Sequence, residues 1–137
     1  MNVRSFKETD RDFIIKSVLF SFMNGSKEIQ KINRDSYMHG HNKVLNNLLD
    51  KCDCLIACDP EDSDLIYGFV IFGETPTYDI LHYIYVRKPF RKNAYAKSLL
   101  ENVHRKNQLS LTHLTDDFKP ARLKKYWEKV IFDRYLL

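Results

Sequence analysis

Glycine and proline are scarce, with four of each in 137 residues. So few breakers exclude collagen-like, linker-rich and low-complexity chains, and they leave no composition shift that would mark a domain boundary. No apolar run approaches the roughly 18 residues of a membrane span, so a soluble chain without a membrane partner is expected. Cysteine is limited to Cys52, Cys54 and Cys58 in "CDCLIAC". A zinc site would want a fourth ligand and a turn between ligand pairs, whereas "LIA" reads as strand; buried, reduced thiols and no metal are expected. His39 and His41, flanking Gly40, likewise lack nearby carboxylate or cysteine partners. The start, "MNVRSFKETD", has no apolar core of a secretory signal, so a cytoplasmic location is expected.

What is present suits one globular domain over residues 1–137. The composition is 44% apolar and 29% charged. A chain of this size buries about two thirds of the surface that it exposes when unfolded, so it needs no disulfide or metal to hold it. The net charge of +4 is unevenly placed. Arg87, Lys88, Arg91, Lys92, Lys97, Arg105 and Lys106 crowd residues 87–106 against Glu101 alone, while "DPEDSD" at 59–64 is acidic. A basic segment of this kind implies an anionic partner: nucleic acid, an acidic protein or a phosphorylated cofactor. Helix-turn-helix, zinc-finger and aromatic RNA-binding patterns are missing, which speaks against nucleic acid.

The hydrophobic period sets the element order. "NVRSF" at 2–6 reads as a strand, and Thr9 with Asp12 reads as a capping box opening a helix through about Met23. A second helix spans 35–51, with His41, Val44, Leu45, Leu48 and Leu49 at helical spacing. The period then changes: "CLIAC" at 54–58 and "IYGFVIF" at 66–72 form a hairpin around the acidic turn. "ILHYIYV" at 80–86 is apolar or aromatic at nearly every position, as in a central strand covered on both faces. Ala96, Leu99, Leu100 and Val103 give a helix to about Lys106, and "LSLTHL" at 109–114 gives a strand parallel to 80–86. Pro120 opens a last helix carrying Leu123, Tyr126 or Trp127, Val130 and Ile131 on one side, with a final strand in "IFDRYLL". The expected fold is α+β, a mixed central sheet flanked by helices in the order β-α-α-β-β-β-α-β-α-(β).

The junction "HYIYVRKPFRKNAYAKSLL" carries the clearest chemistry. Where a strand turns into a helix, the first helical N–H groups lack internal partners and the helix dipole is positive, so the backbone itself can hold a phosphate. The strand end "IYV", the loop "RKPF" and the element Arg91-Lys92-Asn93-Ala94-Tyr95-Ala96 resemble motif A of the GNAT acetyltransferase superfamily, and the element order resembles a GNAT domain over almost the whole chain. Ala94 departs from that pattern, which has glycine there so that the backbone can approach a ligand or take a positive φ.

The resemblance implies a fold, a cofactor and a reaction. Acetyl-CoA would lie in a splay between strands 80–86 and 109–114, its pantetheine arm on the backbone of Tyr85 and Val86 and its pyrophosphate on the N–H groups of residues 91–96. The acetyl group would pass directly to a primary amine on a small molecule or a protein, with a backbone N–H near Tyr85 holding the oxyanion. "YWEKVIF" resembles the family's last-helix pattern, with Trp127 at the position of the acid tyrosine and Tyr126 one residue before it. Indole is a donor but no useful acid, so Tyr126 is the candidate acid or both rings simply pack. His82 is the candidate base or a hydrogen-bonded core residue, and Glu74 is a second candidate. The alternative is a GNAT-like binding or structural protein that has lost catalysis and contacts another protein or nucleic acid. The family commonly adds two strands after this helix, and "FDRYLL" has room for one, so a homodimer or docking on a larger protein is expected.

Overall fold

The computed structural model describes residues 2–25, 31, 33–113 and 120–133, with side chains for all but 22–25 and 120–122. Among these residues six strands form one mixed sheet in sequence order. They are β1 (Asn2–Ser5), β2 (Asp53–Cys58), β3 (Ile66–Glu74), β4 (Asp79–Val86), β5 (Gln108–Leu111) and β6 (Lys129–Phe132). β1 to β4 are antiparallel neighbours, and β5 and β6 each pair in parallel with the strand before. The helices α1 (Arg11–Gly25), α2 (Arg34–Lys51) and α3 (Tyr95–Val103) cover the two faces.

Residue type explains each layer. Ile14, Ile15, Val18 and Leu19 of α1 and Leu45, Leu48 and Leu49 of α2 recur at three- and four-residue intervals and bury against Ile56, Phe69, Ile71 and Tyr83. Leu99, Leu100 and Val103 of α3 bury on the opposite face against Val70, Phe72, Leu81, Leu109 and Leu111. β3 feeds both layers, which is why "IYGFVIF" lacks a polar face. Asn33 caps α2 by accepting from Ser36 N at 3.1 Å. At the entry to α1 the expected Thr9–Asp12 box is replaced by Asp10. Its Oδ2 accepts from Lys7 N at 2.8 Å, and its two oxygens take a bidentate pair from Arg4 at 2.8 and 2.9 Å.

The end of the chain departs from expectation. In place of a last helix carrying Val130 and Ile131, a 3-10 turn spans Pro120–Lys125, and Lys129–Phe132 pair with Gln108–Leu111 as β6. Val130, Ile131 and Phe132 are β-branched or aromatic, and a free edge on β5 gives them a ladder that a helix would forfeit. The predicted final strand thus starts two residues earlier, and residues 134–137 lie outside the described residues. α3 closes at Val103 rather than Lys106 because Asp79, 1% exposed, accepts from Arg105 N and Lys106 N, both at 2.9 Å, and turns the chain.

Candidate active site

β4 and β5 form a fork. Among the described residues they pair only through Asp79↔Leu109, Ile80↔Ser110 and Leu81↔Leu111, with Thr112 N donating to Leu81 O at 3.2 Å as the last link. Beyond this point β4 continues to Val86, and among the described residues nothing pairs with its edge on the β5 side. The fork coincides with a bulge: β3 residues Ile71 and Phe72 face Tyr83 and Leu81, so His82 is the extra residue. Its insertion flips the side-chain alternation. Leu81 packs in the α3 layer, while Tyr83, two residues on, packs in the α1–α2 layer.

The same alternation orients the backbone. Arg87 N donates to Tyr67 O of β3 at 2.8 Å, so Tyr85 and Tyr83 also turn their amides toward β3, whereas Ile84 and Val86 turn theirs to the open edge. The backbone groups on this edge are therefore those of Ile84 and Val86, while Tyr85 turns its own to β3. Tyr85 contributes its ring, beneath the Arg91 guanidinium at 5.8 Å.

At the end of this edge the chain makes a concave turn. Lys92 and Ala94 have φ of 67° and 63° and are the non-glycine residues with positive φ among those described, so Asn93 between them is of opposite sign. Such alternation aims successive N–H groups into one hollow and suits an anion. α3 begins directly after it, at Tyr95, and adds its own unpaired N–H groups. Ile84, Tyr85, Val86, Phe90, Arg91, Lys92, Ala94, Tyr95 and Ala96 line a cleft of about 360 Å³ along this path. Asn93 holds the turn itself, donating from Nδ2 to Phe90 O and Arg91 O at 3.3 and 3.2 Å. The Arg91 Nε donates to Val86 O at 2.8 Å. Arg87 has a structural place instead, over Phe13 and Phe90 with Nη1 donating to Ile66 O at 3.2 Å.

Histidines gather behind the fork. His82 is 4% exposed; its Nδ1 lies 2.9 Å from Thr112 Oγ1 and its Nε2 lies 3.6 Å from Cys52 Sγ. Thr112 Oγ1 is also 2.8 Å from Nδ1 of His113. The His113 ring stacks on Tyr83 at 4.2 Å and meets His41 edge-on at 5.4 Å, and His41 is hydrogen-bonded to the Tyr83 hydroxyl. Burial lowers the pKa of His41 and His82 to about 4 and that of His113 to about 3, so all three are neutral at physiological pH. Burial raises the Cys52 thiol, with Asp53 adding to the shift. The described residues contain no cluster able to hold a metal ion, and the three cysteines are free. His41 and His113 were missed from sequence because residues 41, 82 and 113 meet only through folding.

Tyr126 and Glu74 stand elsewhere. Trp127 is fully buried and donates from Nε1 to Asp79 Oδ2 at 2.8 Å, at the start of β4. The Tyr126 ring packs on it at 5.8 Å. Glu74 pairs with Asp79 across β3 and β4 and bonds Lys106 Nζ at 3.4 Å. Both thus lie toward the Asp79 end of β4, about 20 Å along the strand from Val86. The cause for Tyr126 is the replacement of the last helix by a short turn and β6.

No protein-family model matches the sequence, and no curated protein matches it. Solved structures do match. A Pyrococcus furiosus protein assigned as an acetyl transferase aligns over 90% of this chain and 89% of its own, with a TM-score of 0.68 at 14% identity. The chain has the GNAT acetyltransferase fold. Ribosomal-protein-alanine N-acetyltransferase from Brucella melitensis matches this GNAT fold over 97% of the chain and 80% of its own, with a TM-score of 0.51 and 17% identity. PaiA N-acetyltransferase from Thermoplasma acidophilum, solved with coenzyme A, matches over 74% and 67%, with a TM-score of 0.51 and 16% identity. At these identities the likeness is one of GNAT fold alone.

Proposed function

We propose that this protein binds acetyl-CoA in the fork and transfers the acetyl group to a primary amine. The observation that carries the reading is the continuity of the open edge of β4 at Ile84 and Val86 with the concave turn at Lys92–Ala94 and the start of α3. An extended strand edge pairs with the amides of a pantetheine arm, and a hollow of N–H groups at a helix N-terminus receives a pyrophosphate. Coenzyme A has both parts in that order. Arg91 and Lys92 supply charge at the phosphate end.

The chemistry needs little from side chains. The Ile84 N–H, turned to the open edge, is placed to hold the oxyanion that forms when the amine attacks the thioester. Of the side chains first considered for proton transfer, His82 alone stands at the fork. It belongs to a neutral histidine cluster that can accept the amine's proton. Tyr126, on Trp127 at the other end of β4, is not assigned a role in protonating the thiolate. Among the described residues no helix is long and apolar enough to cross a membrane.

Thermal unfolding with coenzyme A tests the reading. Ligand at about 100 times its dissociation constant stabilises the folded state by roughly 2.7 kcal/mol and raises the melting temperature. Unchanged melting at millimolar acetyl-CoA would refute cofactor binding. Melting raised without coenzyme A release across a panel of amines and peptide N-termini would instead support a GNAT-fold binding protein that lacks catalysis.

A further inference from the structure

The bulge at His82 is held from outside its own strand, by the two residues that follow the last β4–β5 pair. Thr112 meets the His82 ring through Oγ1, and His113 meets the same hydroxyl through its own Nδ1. The two holds are themselves joined, because Thr112 Oγ1 lies between His82 Nδ1 at 2.9 Å and His113 Nδ1 at 2.8 Å. Thr112 is 2% exposed, so water does not easily replace either partner.

A threonine hydroxyl has one hydrogen to give and lone pairs to receive. If neither Nδ1 carried hydrogen, one ring would set a lone pair against the lone pairs of Oγ1. If both carried it, the buried hydroxyl hydrogen would lose both imidazole acceptors. The arrangement that satisfies every atom has one ring donating to Oγ1 while Oγ1 donates to the other. His82 and His113 then carry opposite hydrogens at Nδ1, and Thr112 couples their choice. The other titratable groups packed on the cluster are Cys52 at the entry to β2, Tyr37 and His41 of α2, and Tyr83 of β4.

We propose that Thr112 and His113 are positioning residues of the acetyl-transfer site: they lock the bulge and the tautomer of His82, and so fix where the Ile84 amide and the basic imidazole nitrogen stand in the fork. This deepens the acetyl-transfer reading and rests on it for its kinetic consequences, but the tautomer lock stands independently. Neither residue touches coenzyme A in this assignment. Their loss lowers the chemical step and leaves cofactor affinity in place.

The test pairs ring ¹⁵N NMR with kinetics on the wild type, Thr112→Val, which keeps the shape and removes the hydroxyl, and Thr112→Ser, which keeps the hydroxyl. In the wild type and Thr112→Ser, His82 and His113 should each show one tautomer, with opposite protonation at Nδ1. In Thr112→Val the His82 ring should become a mixture. Turnover of Thr112→Val should fall at least tenfold with KM for acetyl-CoA changed less than twofold, and Thr112→Ser should stay within threefold of the wild type. Like tautomers or tautomer mixtures in the wild type would overturn the lock, as would a Thr112→Val variant with wild-type turnover. A protein with opposite tautomers but no acetyl transfer would retain the lock and refute the reaction instead.

Discussion

Replacing Ala94 by glycine should make the protein more stable, against the usual effect of that change. Ala94 adopts φ 63° and ψ 16° at the residue before α3. For an L-residue with a Cβ this conformation costs about 1–2 kcal/mol, which glycine does not incur. Glycine also gives the unfolded chain more freedom, which takes back about 0.4–1 kcal/mol. The net gain is about 0.5–1 kcal/mol, or roughly 2–4 °C in melting temperature for a domain of this length. Ala96→Gly, two residues on and inside α3, provides the control: the same atoms are removed from ordinary helical backbone, and stability should fall by about 0.5 kcal/mol or more. Urea and thermal unfolding without ligand read the sign directly. If Ala94→Gly and Ala96→Gly both destabilise, the left-handed backbone at 94 is wrong, and with it the concave turn. Titration of coenzyme A should then show Ala94→Gly binding at least as tightly as the wild type, because a methyl group leaves the wall of the cleft.

Arg91→Glu should weaken coenzyme A at least tenfold by calorimetry with little change in melting, since Arg91 is exposed yet anchored to Val86 O; equal affinity would place the phosphates elsewhere. Asp79→Ala should cost about 3 kcal/mol, because it strips the Arg105, Lys106 and Trp127 N–H groups of one shared acceptor. A loss below about 1 kcal/mol in urea unfolding would show that water replaces the carboxylate. Acidification should destabilise through the histidine cluster. His41, His82 and His113 titrate near 6.5 when unfolded and at about 4, 4 and 3 when folded, so the unfolded chain binds protons first. Their contribution is complete above pH 6.5 and declines by several kcal/mol as pH falls toward 4. Urea midpoints that stay flat from pH 7.5 to 4.5 would contradict their burial.

Much of the fold is legible in the sequence because its signals are local. "CLIAC", "IYGFVIF" and "ILHYIYV" are dense in β-formers, Leu99, Leu100 and Val103 mark a helical face, and the basic loop points at the strand-to-helix junction. Three features are hidden for identifiable reasons. The bulge leaves no trace because "LHYIYV" is apolar or aromatic in either phase, so a slip in alternation changes no pattern. β6 imitates a helix, since Leu123, Trp127, Val130 and Ile131 also fit a period near 3.6, and only the unpaired side of β5 decides for a strand. The histidine cluster draws on α2, β4 and the segment after β5, and no spacing in the sequence links them. Ala94 is the converse case: its departure from glycine is plain in the sequence, but the strained backbone that glycine would relieve is visible only in φ.

The extra residue in β4 also sets the course of the strand. Excising His82 would make Leu81 and Tyr83 direct neighbours opposite Phe72 and Ile71, and the ladder would run unbroken. Leu81 would stay in the α3 layer and Tyr83 in the α1–α2 layer, because neighbours in a strand point to opposite faces. What would go is the local bend and added twist that a bulge gives β4 where it parts from β5, together with the imidazole itself. One codon would thereby straighten the strand at the fork without altering any residue that lines the cleft.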